Sequence, residues 1–331
     1  MQVQLFTGTE AFKALTEEWD ALVQNGITNT PFQYLAYQQA WWQHLQPSGA
    51  ALYTVATYAD NDLVAIGCFY LLDGILHFNG CVEETDYLDL IVTAEQAEPG
   101  WTAVFNHLIS ADFPNWQAID LCNVPQDSPT RTILPKLVQE HGYTVQESVQ
   151  EVCPVIELPE TFDGYLANID SKQRREVKRK LRRAKGAGVT LKMVQPNDDI
   201  AAAIDDFLVL LQQSTFEKRD WLNDGRRAVF HATAEAAQKA GTFQLLLIEV
   251  EGTKAAALFN FDYDGRIWVY NSGLNPRAFG NLSLGVVITA LAIQKAVDNG
   301  RKIFDFLRGD ETYKYRFGAK DTTVHRIQIS K

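Results

Sequence analysis

The chain has 331 residues, of which 46% are hydrophobic and 11% aromatic; this excludes a disordered protein and leaves room for two domains of ordinary size. A formal charge of −11 excludes a generally nucleic-acid-binding surface. No run approaches the roughly 20 apolar residues that span a bilayer, and the opening Met1-Gln-Val-Gln-Leu-Phe-Thr7 has neither a basic leader nor an apolar core, so a cytoplasmic protein is expected. Cys68, Cys81, Cys122 and Cys153 form no CxxC pair and have no His at metal spacing. The expectation is four buried thiols, no disulfide and no metal.

In chain order, Val3 to Phe6 reads as a strand, and Phe12, Leu15, Trp19, Leu22 and Val23 recur at helical spacing up to Gln24. Thr30-Pro-Phe32 turns into a second helix carrying Trp41 and Trp42, a pair better suited to a core than to a ligand. Leu52 to Tyr58 and Leu63 to Leu72 form a hairpin, extended by Gly74 to Phe78. Asp86 to Val92 is a further strand, Trp101 to Ser110 a helix, Ala118 to Cys122 a buried strand, and Arg131 to Gly142 a helix ended by glycine.

Between Lys172 and Lys185 stand nine Lys or Arg and one Glu, a local charge of +8 that leaves −19 for the remainder. Val177, Leu181 and Ala184 give this helix a thin apolar stripe. Three readings stay open. It is a solvated helix whose long stems cover apolar surface, a binder of polyanions such as the phosphates of CoA, a nucleotide sugar or a tRNA acceptor stem, or a partner for the acidic surface of another copy.

Val189 to Val194 is a strand, Asp198 to Gln213 an amphipathic helix, and Arg226 to Ala240 another. Phe243 to Glu249, Ala255 to Phe261 and the strand from Arg266 form a meander around the turns Glu251-Gly252 and Asp264-Gly265. Then come the loop from Asn275 to Ser283, an apolar helix from Leu284 to about Asn299, a strand at Lys302 to Leu307, and the polar knot Arg308 to Gly318. Ser283 suits the helix cap, and the first turn Leu284-Gly-Val-Val287 carries no acid. With Arg277 before it, that end has room for an anion such as a pyrophosphate.

Phe304-Asp-Phe-Leu-Arg-Gly-Asp-Glu-Thr-Tyr-Lys-Tyr-Arg-Phe-Gly318 resembles the closing motif of GNAT-superfamily acyltransferases of the CelD and FemAB type; Thr30-Pro-Phe, Ala40-Trp-Trp and Thr85-Asp-Tyr-Leu-Asp-Leu90 resemble phrases of their amino-terminal halves. The resemblance covers nearly the whole chain. It implies an α/β protein of two tandem GNAT-like units, each a mixed, mostly antiparallel sheet flanked by helices. The expected units are 1–155, without its own cofactor, and 156–331, which begins near the basic helix 171–185 and holds the donor site.

By that resemblance the donor is acetyl-CoA or another acyl-CoA. It lies where the strands part near Asn271, against Arg277, Gly280, Asn281, Ser283 and Gly285. Lys314 then faces the acyl carbonyl, Tyr313 the leaving thiolate, and Asp305 or Glu311 is the base. The segment Ser214 to Leu222 resembles an acceptor contact, which nominates Phe216, Arg219 and Trp221 together with Arg308 and Asp310. The implied acceptor is an amino or hydroxyl group on a sugar, exopolysaccharide or cell-envelope precursor, and Lys314→Met is expected to cut turnover with the fold intact. An aminoacyl-tRNA-dependent Fem-like transferase is the alternative. A non-catalytic binding module is the third reading, because Arg277-Ala-Phe-Gly280-Asn-Leu-Ser-Leu-Gly285 departs from the usual Arg/Gln-x-x-Gly-x-Gly/Ala spacing.

Overall fold

The computed structural model describes residues 1–81 and 84–331. The chain forms two compact units, Met1–Val152 with Thr323–Lys331, and Cys153–Thr322. The final stretch thus returns to the first unit, which an undivided second unit running to residue 331 does not anticipate. Among the described residues no helix is long and apolar enough to cross a membrane.

In the first unit, β1 (Gln2–Thr7), β2 (Ala51–Ala59), β3 (Asp62–Leu72), β4 (Ile75–Phe78), β6 (Ala118–Pro125) and the end of β13 (Lys320–Ser330) lie side by side in that order, and β5 (Ile91–Val92) pairs with β3. All these pairings are antiparallel except β4 with β6. The helices are α1 (Glu10–Ala14), α2 (Trp19–Gln24), α3 (Leu35–Leu45), α4 (Ala97–Leu108) and α5 (Thr130–Glu140). The single helix expected up to Gln24 is two, because the Thr16 hydroxyl donates back to the Phe12 and Lys13 carbonyls and closes the first helix there.

The expected strand at Asp86 to Val92 shrinks to Ile91–Val92. Before it, the buried Asp89 carboxylate accepts hydrogen bonds from Thr28 Oγ1 (2.7 Å), Thr130 Oγ1 (2.6 Å), Ser128 Oγ (2.5 Å) and the Leu90 amide (2.8 Å). Burial pushes its pKa above the ordinary carboxylate value, while the donors act in the opposite direction. This polar anchor sets the local path in place of a sheet ladder. Trp41 and Trp42 are core residues, with Trp41 stacked on Tyr70 at 5.8 Å.

Cys81 and Cys122 form a disulfide, with Cα atoms 6.1 Å apart, which corrects the expectation of four free thiols. The parallel pairing of β4 with β6 brings together residues 41 apart in sequence, a proximity no spacing motif announces. Cys68 and Cys153 are buried and form no disulfide. The thiol-based argument for a reducing compartment therefore loses its footing at the bonded pair.

In the second unit the sheet order is β8 (Thr190–Met193), β9 (Phe243–Val250), β10 (Thr253–Tyr263), β11 (Arg266–Leu274), β12 (Ile303–Asp305) and the end of β7 (Thr144–Glu157). Only β11 with β12 is parallel. Because side chains alternate across a strand, each face has its own core. On one face Ile248, Leu258, Ile267 and Val269 pack with α11 (Leu284–Asp298), α6 (Phe162–Asn168) and the apolar stripe of α7 (Ser171–Gly186). On the other, Phe207 of α8 (Ile200–Ser214) and Phe230 of α10 (Asp224–Lys239) meet Phe259, with ring centroids 5.4–6.2 Å apart. Each such fully buried side chain contributes roughly 1.5–3 kcal/mol.

Candidate active site in the second unit

Two features of the backbone make the site. The first is a fork. β12 pairs with β11 only over Arg266–Trp268 and stops at Asp305, whereas β11 continues to Leu274. The chain leaves β12 sharply, with Leu307 in the left-handed region at φ 58° and Gly309 at φ 110°, a value that favours glycine. The second is close packing of β11 on α8. A Cβ on Gly273 would stand 2.6 Å from the Leu211 amide nitrogen, so only glycine allows that approach.

Between the parted strands and α11 lies a mainly apolar cavity of about 230 Å³. Ser272 and Gly273 border it from β11, Gly285 and Thr289 from α11, and Phe306 and Tyr313 from the segment after β12. A Cβ on Gly285 would meet nothing nearer than Leu274 Cδ2 at 3.8 Å, so the small residue leaves that wall open.

The loop before α11 has an unexpected geometry. Neither Gly280 nor Gly285 adopts a left-handed backbone; Phe279 (φ 53°) and Ser283 (φ 55°) do, on either side of a 3-10 turn at Gly280–Leu282. Such conformations are sparsely populated by side-chain-bearing residues. Ser283 occupies the cap position of α11, but its side chain makes no capping hydrogen bond, which corrects the capping role expected for it. The helix therefore presents an amino end with neither a capping hydroxyl nor an acid in the first turn. Arg277, Gly280 and Asn281 are exposed on this loop, whose turn is held by Asn275 Oδ1 accepting from the Arg277 and Ala278 amides.

The residues nominated for chemistry differ sharply in their freedom. Lys314, on α12 (Thr312–Arg316), is 2% exposed. Its ammonium donates to the carbonyls of Leu307 (3.2 Å), Arg308 (2.7 Å) and Gly309 (2.9 Å) and pairs with Glu311 Oε2 at 2.8 Å. It is the clamp that holds the turn after β12, so a fold untouched by Lys314→Met is not what this burial implies. Asp305 is fully buried; its oxygens accept from Arg266 (3.1 Å) and the Leu307 amide (2.8 Å). Glu311, by contrast, has a carboxylate side chain that is 57% exposed. Tyr313 lies edge-on to Phe306 at 5.9 Å and keeps 39% of its surface exposed; partial burial of the phenol, then the Glu311 charge, pushes it above the ordinary value. Asp310 is exposed and Arg308 half-buried at the same turn.

The acceptor nominees lie on or beside α9 (Phe216–Trp221), which Thr215 caps through the Lys218 amide. Phe216 is 72% exposed beneath the Arg219 guanidinium at 5.0 Å, and Trp221 is covered by Arg226 at 4.6 Å. The residue of α9 that reaches the fork is one the sequence did not single out. Lys218 Nζ donates to Asn271 Oδ1 at 2.9 Å and to the Ser272 carbonyl at 2.7 Å. Asn271 Oδ1 also accepts from the Ser272 amide, so this oxygen is engaged within the fork. No spacing signal could have found Lys218, because its partner segment lies more than 50 residues away.

The basic helix α7 is capped by Asp170, whose carboxylate accepts from the Lys172 and Gln173 amides. Val177, Leu181 and Ala184 seat it on the cluster that contains Leu282 and Leu284, next to the loop that opens α11. Among the described residues, only Lys178 and Arg179 of its cations make ion pairs.

Residues 171–315 match the family model described as an acetyltransferase (GNAT) domain. No curated protein sequence matches the chain. Among solved structures the fold is similar to FemX, at 12% identity and a TM-score of 0.67 over 99% of this chain and 97% of that one. It is similar to the C-terminal domain of a putative lysylphosphatidylglycerol synthetase from Agrobacterium fabrum, at 8% identity and 0.61 over 98% and 92%. It is also similar to a tandem GNAT protein from the clavulanic acid biosynthesis pathway, at 10% identity and 0.51 over 98% of both chains. At these identities the likeness is one of fold, and the fold is that of tandem GNAT-like units.

Proposed function

From a GNAT-type domain at residues 171–315, we propose that the second unit is an acyl-CoA-dependent acyltransferase, with acetyl-CoA as donor and an amino or hydroxyl group of a sugar, exopolysaccharide or cell-envelope precursor as acceptor. The observation that carries this reading is the fork of β11 and β12 above an apolar cavity, facing the uncapped amino end of α11. These residues fit the donor. The cavity suits an apolar arm, Gly285 leaves its wall open, and Arg277 with the free amides of the helix end suits a pyrophosphate. When bound, the donor supplies an activated acyl thioester.

The protein's own residues do the rest. The β11 edge at Asn271 to Gly273 aligns the acyl group, and the buried Phe306 lines the apolar wall of the cavity. Tyr313 borders the cavity where a leaving sulfur would need a proton, and a phenol carries its proton at neutral pH. Glu311 is an exposed carboxylate on the turn that leads into Tyr313. Lys314 acts by holding the turn that carries both.

Isothermal titration of the full chain with acetyl-CoA, longer acyl-CoAs and CoA tests the reading. Micromolar binding, weakened at least tenfold by Arg277→Gln and by Gly285→Val, is expected; the absence of heat from any of them would remove the donor. The exposed cations of α7 beside the α11 loop favour one second reading, an aminoacyl-tRNA donor. It requires tRNA binding that is steeply salt-dependent and is lost when Arg174, Arg175, Arg179 and Arg182 become Gln.

A further inference from the structure

Lys218 has the features of a working group rather than a structural one. Its ammonium is half-buried, yet it makes no ion pair among the described residues; its close partners, Asn271 Oδ1 and the Ser272 carbonyl, are neutral oxygens. Burying an unpaired ammonium is costly, and a purely structural lysine gains most from a carboxylate or a full set of carbonyls, as Lys314 has. The position is specific. Ser272 and Gly273 border the cavity, so Nζ sits at the rim where β11 parts from β12, carried there by the same short helix that displays Phe216 and Arg219.

Resting on the acyltransferase reading above, we propose that Lys218 is a catalytic acid–base residue that takes the proton from the acceptor's attacking nitrogen or oxygen. As the bond from that atom to the acyl carbon forms, its proton passes to the neutral Nζ. The carbon–sulfur bond breaks, and the departing thiolate receives a proton in turn, so that the products are the acylated acceptor and a free thiol.

The surroundings agree. Burial is the largest influence and lowers the Lys218 pKa to about 8; Glu311 raises it and Lys314 lowers it, both from the α12 turn. On its own helix the charged neighbours are Glu217, Arg219 and Asp220, and β11 contributes only the neutral Asn271 and Ser272. A base that titrates near the working pH combines an available neutral form with useful basicity.

The test uses the full chain with acetyl-CoA and three measurements. Labelling of lysines by trinitrobenzenesulfonate across pH 6–10, read by mass spectrometry, should show Lys218 titrating near pH 8, below the ordinary lysine value. Slow thiol release from acetyl-CoA, with water as acceptor, should rise through the same pH in the wild type and fall at least tenfold in both Lys218→Gln and Lys218→Arg. Calorimetry should show that both variants still bind acetyl-CoA. If acetyl-CoA gives no heat with any of the three proteins, the donor reading falls and this assignment with it. Heat with indistinguishable thiol release, rescue of release by Lys218→Arg, or an ordinary titration of Lys218 overturns this assignment alone.

Discussion

Replacing Lys314 with Met tests whether this buried lysine is a clamp. The substitution keeps the stem and removes an ammonium that satisfies three carbonyls and one carboxylate. Hydrogen bonds to a charged donor are worth about 1.5–3 kcal/mol each. Against their sum stands the desolvation of the ammonium, itself several kcal/mol, which the Met variant no longer suffers. The Glu311 arm adds little, because that carboxylate is 57% exposed. The expected net loss is about 2–4 kcal/mol, because carbonyls left without a donor cost about 1–3 kcal/mol each and the relieved desolvation offsets part of that. The two units need not unfold together, so the assay is native-state hydrogen exchange by mass spectrometry, comparing peptides across residues 303–318 with peptides from β6. Faster exchange confined to the second unit is expected, and Glu311→Gln should lose no more than about 1 kcal/mol. Protection in Lys314→Met within about 1 kcal/mol of wild type would refute the clamp and return the lysine to a purely chemical role.

The other consequences are more local. Gly273→Ala should cost about 1–3 kcal/mol by urea denaturation, since its Cβ would meet the α8 backbone at 2.6 Å, whereas Gly285→Ala should leave stability unchanged. Asp89→Ala leaves three hydroxyls and the Leu90 amide to find new acceptors in a buried site and should cost about 2–4 kcal/mol, seen as lost exchange protection in the first unit. Lys218 has a folded pKa of about 8 against an ordinary 10.5, so between those values the unfolded chain holds a proton that the folded chain has shed. Stability should therefore rise with pH across that window, and Lys218→Gln should flatten the rise in urea midpoints between pH 7.5 and 9.5.

Periodicity alone was enough for the elements whose burial is one-sided. The helices at 200–214, 224–239 and 284–298 and the meander from 243 to 274 follow from apolar spacing and from the Glu251-Gly252 and Asp264-Gly265 turns, and the structure keeps all of them. The same reasoning overran at Asp86 to Val92, where a largely apolar run belongs mostly to a loop threaded around a buried carboxylate. It passed over β7 and β13, whose mixed polar residues gain their order from strands distant in sequence. In the site, the resemblance to GNAT enzymes pointed to strands parting near Asn271, and β12 leaves β11 after Trp268.

Local chemistry, then, determined what this chain could do within a few residues: helices, turns, a helix end without an acid, a band of positive charge. The tertiary structure decided what depends on partners far apart in sequence. It paired Cys81 with Cys122, bound Lys314 to the carbonyls it clamps, and carried Lys218 from α9 to the fork. The reason is physical: periodicity records which face of an element is buried, while the state of a charged side chain is set by the atoms around it, and those are chosen only when the chain has folded.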